Sequence, residues 1–438
     1  MKTLFLSQLE SHDLFLDCLL RGDNTCDTSH VGTGKTVVGC HLALSLKRAG
    51  YSVAVICPKS VIPSWTREMK EVQVEPIFVL NYEKIRTGKT EHMSKTGKKI
   101  MRWSLPEKTV VLFDEVHKAK GPYTQNAQLL ISLIQQGYQV HGMSATAAED
   151  PTEMRGLGYM LGLHSLNKPT DQLDSWVDWM KEFGCYQDDY YKWSLSASGR
   201  AKLPLLRKEM YSRNVRRLTT DHFPDSFKKN RVIVEPIYFK KSHQIQAAYR
   251  EAGVTPAIVQ RFIEEGTVED SEYYLVTILS ARMLAESFKI PELCEMATDL
   301  VAENKSVVVF VNFSETAKVL CKNLKCRSIE GGQTLEERQE AIDRFQNDDD
   351  YIIVVNIAAG GTGISLHHTE SSNRQRVSLI CPSFSAKNHL QTLGRIHRNG
   401  AKSDAIQKIL VASNTVEEAV IESVQRRIKN LELLHDES

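Results

Sequence analysis

A chain of 438 residues, 42% hydrophobic and 25% charged, has the composition of an ordinary globular protein with room for roughly two or three domains, which excludes disorder as its organising state. Fifty-five lysines and arginines stand against 54 aspartates and glutamates, so any nucleic-acid surface must come from local placement of charge and not from overall excess. The nine cysteines form no CxxC pair and no Cys/His cluster at zinc spacing, and they read as reduced and mostly buried.

In chain order, MKTLFLSQLESHD begins with a lysine and a short apolar run that ends at Ser7, too short for a secretory core. No stretch approaches membrane-crossing length, so the expectation is no membrane association and a cytoplasmic location, or the host-cell cytoplasm for a viral protein. After the polar turn RGDNTCDT comes SHVGTGKT, residues 29 to 36, opening a helix rich in Val, Leu and Ala. A glycine-rich turn that opens a helix aims backbone amides at phosphate oxygens. Gly32, Thr33 and Gly34 make the turn, Lys35 can reach β- and γ-phosphates, and the Thr36 hydroxyl can ligate magnesium.

Short apolar runs then recur: SVAVICP (52 to 58), TVVLFDE (109 to 115), SVVVFVN (306 to 312), YIIVVN (351 to 356) and RVSLICP (376 to 382). Runs apolar on both faces are what a covered parallel sheet requires, so the fold class is α/β. One group ends near Ser144 and the other begins near Lys305, which predicts sheet domains over 1–150 and 301–438 around a largely helical region at 151–300. The run TVVL delivers Asp114 and Glu115 to a strand end, where ligands of open α/β sheets bind. Asp114 can hold magnesium there and Glu115 can polarise an attacking water. The central region carries Trp176, Trp179, Tyr186, Tyr190, Tyr191 and Trp193, then Arg207, Lys208, Arg213, Arg216 and Arg217. Base stacking is one use for such aromatics, but Trp176 and Trp179, three apart, read as the core stripe of a helix. Near the end, QTLGRIHRNG (391 to 400) spaces Gln391, Arg395 and Arg398 four and three apart, as on a surface helix.

FDEVHKAK resembles the DEAH box of superfamily-two helicases and translocases, and further segments follow in that family's order. VICPKSVIPSWTREM (55 to 69) is similar to motif Ia, VLNYEKI (79 to 85) to the next polymer-contacting segment, and SAT (144 to 146) to motif III. VVVFVNF (307 to 313) resembles motif IV, AAGGTGISL (358 to 366) motif V, and QTLGRIHRNG motif VI. The motif Ia wording, the pair Arg216–Arg217 and QTLGRIHRNGAKS look most like the Swi/Snf-type branch. Ser29 in place of the usual first glycine, His30 and Val116 are departures from the common wording.

The resemblance implies two tandem RecA-like domains that bind ATP and Mg2+, with Gln8 reading adenine, Arg395 and Arg398 as arginine fingers, and Gln391 against the nucleotide or the attacking water. It implies that His117, Ser144, Ala145 and Thr146 couple hydrolysis to movement, and that Pro58, Lys59, Ser60, Tyr82, Thr362 and Gly363 touch the polymer. The implied activity is an ATP-dependent DNA helicase or translocase acting in replication, recombination or repair. An ATP-gated nucleic-acid clamp and an RNA helicase are the alternatives. HHTESSNRQR (367 to 376) is too short for a long hairpin wedge between motifs V and VI, so duplex DNA is expected to be favoured over single strands, with RNA possible and protein partners open.

Overall fold

The computed structural model describes residues 3–96, 100–166, 175–188, 191, 193–223, 227–259, 272–360 and 364–435. The chain divides into two compact units, Met1–His222 with Lys429–Ser438, and Phe223–Ile428. Among the described residues no helix is long and apolar enough to cross a membrane.

The first unit holds β1 (Thr25–Asp27), β2 (Ser52–Cys57), β3 (Val79–Asn81), the hairpin β4 (Met93–Thr96) and β5 (Ile100–Trp103), β6 (Thr109–Asp114), β7 (Gln139–Met143), the hairpin β8 (Cys185–Gln187) and β9 (Trp193–Leu195), and β10 (Val215–Arg216). Its main sheet runs β10-β1-β7-β6-β2-β3, parallel throughout. The two-residue period of a strand explains why its runs are apolar on both faces. Val53, Val55, Val110 and Leu112 point into a cluster with Phe15, Leu42, Leu46 and Trp65. Ala54, Ile56, Val111 and Phe113 point into the opposite cluster with Leu130, Trp176 and Leu206. Each of the larger ones, the valines, Leu112, Ile56 and Phe113, contributes about 1.5–3 kcal/mol on full burial.

The second unit repeats the plan with β11 (Asn230–Ile237), β12 (Lys305–Val311), β13 (Arg327–Ile329), β14 (Ile352–Asn356), β15 (Gln375–Ile380) and β16 (Ala405–Ala412), in the order β11-β16-β15-β12-β14-β13 and again all parallel. Val307, Val309 and Val311 face one cluster, and Val308 and Phe310 the other. A buried polar network fastens the end of β12. Glu286 accepts from the Asn312 and Phe313 amides at 3.0 and 3.1 Å, and Lys289 pairs with buried Glu417 at 2.5 Å.

The stretch 151–300, expected as largely helical, also carries β8 to β11, and the boundary between the units falls in it at His222. Those strands are short or lie at a sheet edge, where half-exposed residues such as Val232 and Val234 do not make a run apolar on both faces. Trp176 and Trp179 are buried in the first unit's core, as their helical spacing predicts. Tyr186 and Tyr191 of the β8–β9 hairpin are exposed, and Tyr190 lies outside the described residues.

Candidate nucleotide site

The phosphate loop sits between β1 and the helix Lys35–Arg48. Gly32 and Gly34 have φ of +86° and +88°, and Gly34 is the residue that starts the helix, so its left-handed backbone turns the chain into the helix axis. A β-carbon at Gly34 would also lie 2.6 Å from Nε2 of Gln8. That amide donates to the Thr33 carbonyl at 2.7 Å while its oxygen accepts from the Phe5 amide at 3.0 Å. Gln8 is therefore buried against the loop. The Thr33 hydroxyl donates to the His30 carbonyl at 2.8 Å, and Thr36, half-buried, occupies the first turn of the helix.

The Lys35 ammonium donates to the carbonyls of Ser29 at 2.5 Å and His30 at 2.8 Å. Burial lowers its pKa, while the carboxylates of Asp27, Glu115 and Asp114 act the other way. Burial in turn raises the pKa of Asp27, with Lys35 the strongest opposing influence. A cation aimed over the loop and an acid behind it are thus packed together beneath the helix amides that would meet a phosphate.

The carboxylate pair stands at the end of β6. Asp114 accepts from the Trp65 indole N–H at 2.8 Å, and its carbonyl accepts from the Tyr82 hydroxyl at 2.8 Å. Burial, reinforced by the adjoining Glu115 carboxylate, pushes Asp114 up to about 7. Glu115 has φ 55° and ψ 50°, a left-handed geometry that costs a non-glycine residue about 1–3 kcal/mol and re-aims its side chain out of the strand. One of its oxygens lies 3.0 Å from Nδ1 of His117, and that nitrogen lies 2.8 Å from the Ser144 hydroxyl. Ser144 accepts from the Thr146 amide at 3.2 Å, and its own amide donates to the Asp27 carbonyl at 2.9 Å. The Ala145 carbonyl accepts from Arg217 at 3.2 Å. His117 and Ser144 thus link Glu115 to the end of β1 ahead of the phosphate loop, with Ala145 and Thr146 beside them in the same turn.

These donors fit magnesium. Two crowded carboxylates with little solvent raise each other's cost of ionisation, and a hard divalent cation that prefers oxygen ligands relieves it. Thr36 and Asp114 would hold the ion, which would neutralise charge building on the terminal phosphates. Glu115, tied to His117, would take a proton from the attacking water. Replacing Glu115 by Gln is expected to leave nucleotide affinity within about threefold and to lower turnover by about 10²–10⁴-fold, the usual contribution of a positioned base. Nucleotide titration and phosphate release in parallel check this, and a variant with near-normal turnover removes Glu115 from the role.

Tyr82 corrects the sequence reading. Expected to touch the polymer, it is 0% exposed, with its ring on Phe113 and its hydroxyl holding the Asp114 and Glu115 carbonyls. The short helix Tyr82–Ile85 after β3 turns this side chain into the core. Of the other expected polymer contacts, Pro58 is buried, Lys59 exposed and Ser60 half-buried, at the single turn Lys59–Val61 beyond β2. Thr362 and Gly363 lie outside the described residues.

Trp65 went unnoticed in the sequence, although a core tryptophan must find an acceptor for its N–H. Gly39 makes room for it, since a β-carbon there would lie 2.9 Å from the indole. Trp65→Phe keeps most of the apolar volume and removes a bond to a charged group worth about 1.5–3 kcal/mol. The expected result is a several-fold higher magnesium requirement with a melting temperature lowered by a few degrees, read from Mg2+ titrations of turnover and from calorimetry.

In the second unit the helix Ala386–Leu393 stops at Gly394. Gln391 lies on it, buried, but Arg395 and Arg398 follow its end and do not share a surface-helix face. Arg395 is buried, its guanidinium donating to the Ile364 carbonyl at 3.3 Å and its own carbonyl accepting from the Leu366 amide at 2.9 Å. Arg398, half-buried, donates through Nε to the Gly394 carbonyl at 3.0 Å. Burial, with the Arg398 charge adding to it, pushes His367 down to about 4. The motif V and motif VI segments thus support each other.

Comparison with known proteins agrees with this geometry. The helicase conserved C-terminal domain model matches residues 288–400. A protein of Acanthamoeba polyphaga mimivirus, provisionally named an ATP-dependent RNA helicase, is 30% identical over 96% of this chain and 81% of its own length. The chromatin remodeling factor mit1 of Schizosaccharomyces pombe is 27% identical over 34% of this chain, and the DNA repair and recombination protein RAD54-like of Drosophila ananassae 24% identical over 33%. Those matches span only 11% and 20% of the two longer proteins. A Sulfolobus solfataricus SWI2/SNF2 ATPase core solved in complex with dsDNA aligns over 100% of the chain at 15% identity, with a TM-score of 0.38.

Two parallel-sheet units, one carrying a phosphate loop with strand-end carboxylates, define an ATP-hydrolysing enzyme of the helicase type. The chain belongs to the ATP-dependent helicases.

Proposed function

We propose that this protein is a motor that turns ATP hydrolysis into movement along duplex DNA, in replication, recombination or repair. The observation that carries the reading is the path from Glu115 through His117 to Ser144, which connects the hydrolytic base to the segment expected to report the state of the nucleotide. The family resemblance gives Arg395 and Arg398 the role of arginine fingers and Gln391 that of a contact to the nucleotide or the attacking water, while Lys35 and Thr36 would hold the phosphates and their magnesium. Lys59 and Ser60, at the open end of β2, suit phosphate contacts that carry no sequence preference. Movement without strand separation is supported by residues 364–374, where the described chain makes turns and no hairpin.

A second reading, strand separation, draws on the β8–β9 hairpin, where Tyr191 is 83% and Tyr186 53% exposed. Aromatic side chains on such a projection could stack on unpaired bases. The provisional name of the mimivirus relative adds RNA as a substrate to be tested. ATPase rates with duplex DNA, single-stranded DNA and RNA, beside displacement assays on a triplex and a forked duplex, separate these readings. Stimulation by duplex DNA and release of the third strand without unwinding of the fork is the expected result. Efficient fork unwinding lost on Tyr186→Ala and Tyr191→Ala establishes the second reading instead, and stimulation by RNA alone rejects both.

A further inference from the structure

The pair Arg216–Arg217 has no part in the chemistry above, yet the two side chains are treated differently by the fold. Arg216 is exposed, whereas Arg217 is half-buried and turned toward the nucleotide loop. The cause is the way β10 continues past its two paired residues. The Cys26 amide donates to the Asn214 carbonyl at 3.0 Å, the Thr28 amide to the Arg216 carbonyl at 2.8 Å, and the His30 amide to the Leu218 carbonyl at 2.9 Å. The Leu218 amide answers with a bond to the Ser29 hydroxyl at 2.9 Å. Residues 214–218 thus run as an edge partner along the entire lead-in to the phosphate loop, and strand alternation places Arg217 on the opposite face from Arg216.

From there one guanidinium nitrogen donates to two carbonyls on different segments, Thr28 before the phosphate loop at 2.5 Å and Ala145 of the SAT segment at 3.2 Å. A second tie joins the same neighbourhoods. The Thr28 hydroxyl lies 2.6 Å from the Tyr211 hydroxyl, which lies 2.7 Å from Nδ1 of buried His435, and Nε2 of that ring donates to the Ala148 carbonyl at 2.9 Å. A planar, permanently charged fork suits two carbonyls at fixed directions, where an ammonium on a flexible stem is a poor substitute.

We propose that Arg217 is a positioning residue that fastens the phosphate loop to the SAT segment, so that filling the loop with nucleotide tightens residues 144–148. It touches no reacting atom and acts through the carbonyls of Thr28 and Ala145. The proposal rests on the reading of the first unit as the ATP site, and its test separates the two.

Amide hydrogen exchange of the full chain is followed with and without Mg2+ and a nonhydrolysable ATP analogue, on segments 28–36 and 143–149. In the unaltered protein both segments are expected to slow by about tenfold or more on analogue binding. In Arg217→Ala, 28–36 slows as before while 143–149 changes by less than about twofold, and Arg217→Lys restores only part of the response. In steady state, with rates normalised to the titrated nucleotide-binding sites so that unfolded protein does not count, the alanine variant shows a lowered kcat at nearly unchanged KM.

Protection of 143–149 that survives in Arg217→Ala overturns the proposal, and so does a lysine variant indistinguishable from the unaltered protein. Loss of protection at both segments together with a lower melting temperature overturns it as well, making Arg217 a prop of the site itself. No protection at 28–36 in the unaltered protein rejects the ATP site, and this proposal with it.

Discussion

Replacing Lys35 by alanine is expected to abolish ATP turnover, because the cation that would meet the terminal phosphates over the phosphate loop is lost. Nucleic-acid affinity should survive. The loss has a second consequence, visible without any nucleotide. Lys35 is the strongest influence holding down the pKa of buried Asp27, so removing its charge leaves that carboxylate with less to offset its desolvation. Asp27 has a folded pKa above its unfolded one, so its ionisation as pH rises through that range costs stability, and Lys35→Ala raises the folded value further. The variant should therefore lose more melting temperature at neutral pH than at acid pH, and adding Asp27→Asn should recover stability without recovering turnover. Calorimetry at the two pH values and phosphate release check both parts. Near-normal turnover in the single variant sinks the assignment of the site.

Arg395→Ala and Arg398→Ala are each expected to lower the rate at saturating ATP by about 10³–10⁵-fold while changing nucleotide affinity little, the size of effect an arginine finger has in phosphoryl transfer. The structure separates the two in stability. Arg395 is buried and holds the Ile364 carbonyl, so its loss leaves that acceptor unsatisfied and should cost about 1–3 kcal/mol in the second unit. Arg398, half-buried beside Gly394, should give a variant that melts close to the unaltered protein. Lysine should rescue neither rate, since an ammonium cannot hold two phosphate oxygens in one plane. Weaker ATP binding with an unchanged rate at saturation would mean that these residues bind the ground state and are not fingers.

Much of this was legible in the chain itself. The five runs apolar on both faces specified covered parallel sheets, because only a strand with helices on either side can bury Val53 and Ala54 in opposite directions. GTGKT specified a loop that must reach left-handed backbone at Gly32 and Gly34, and DEVH at the end of TVVL specified a carboxylate pair at a sheet edge. Such features are local: a glycine, a strand period or a motif acts through its immediate neighbours, so its meaning survives without the fold.

What only the tertiary structure decided are contacts between residues distant in sequence. Trp65 reaches Asp114 across 49 positions, Arg217 reaches Thr28 across 189, and His435 reaches Ala148 across 287. Tyr82 belongs with them, since its motif pointed to the polymer while the packing of β3 against β2 turned it inward to hold the catalytic loop. The same limit applies to β11 and to the end of the helix at Gly394. An edge strand is paired from one side only, and a chain that turns to keep Arg395 buried on Ile364 is responding to a partner about thirty residues away, which no local pattern encodes.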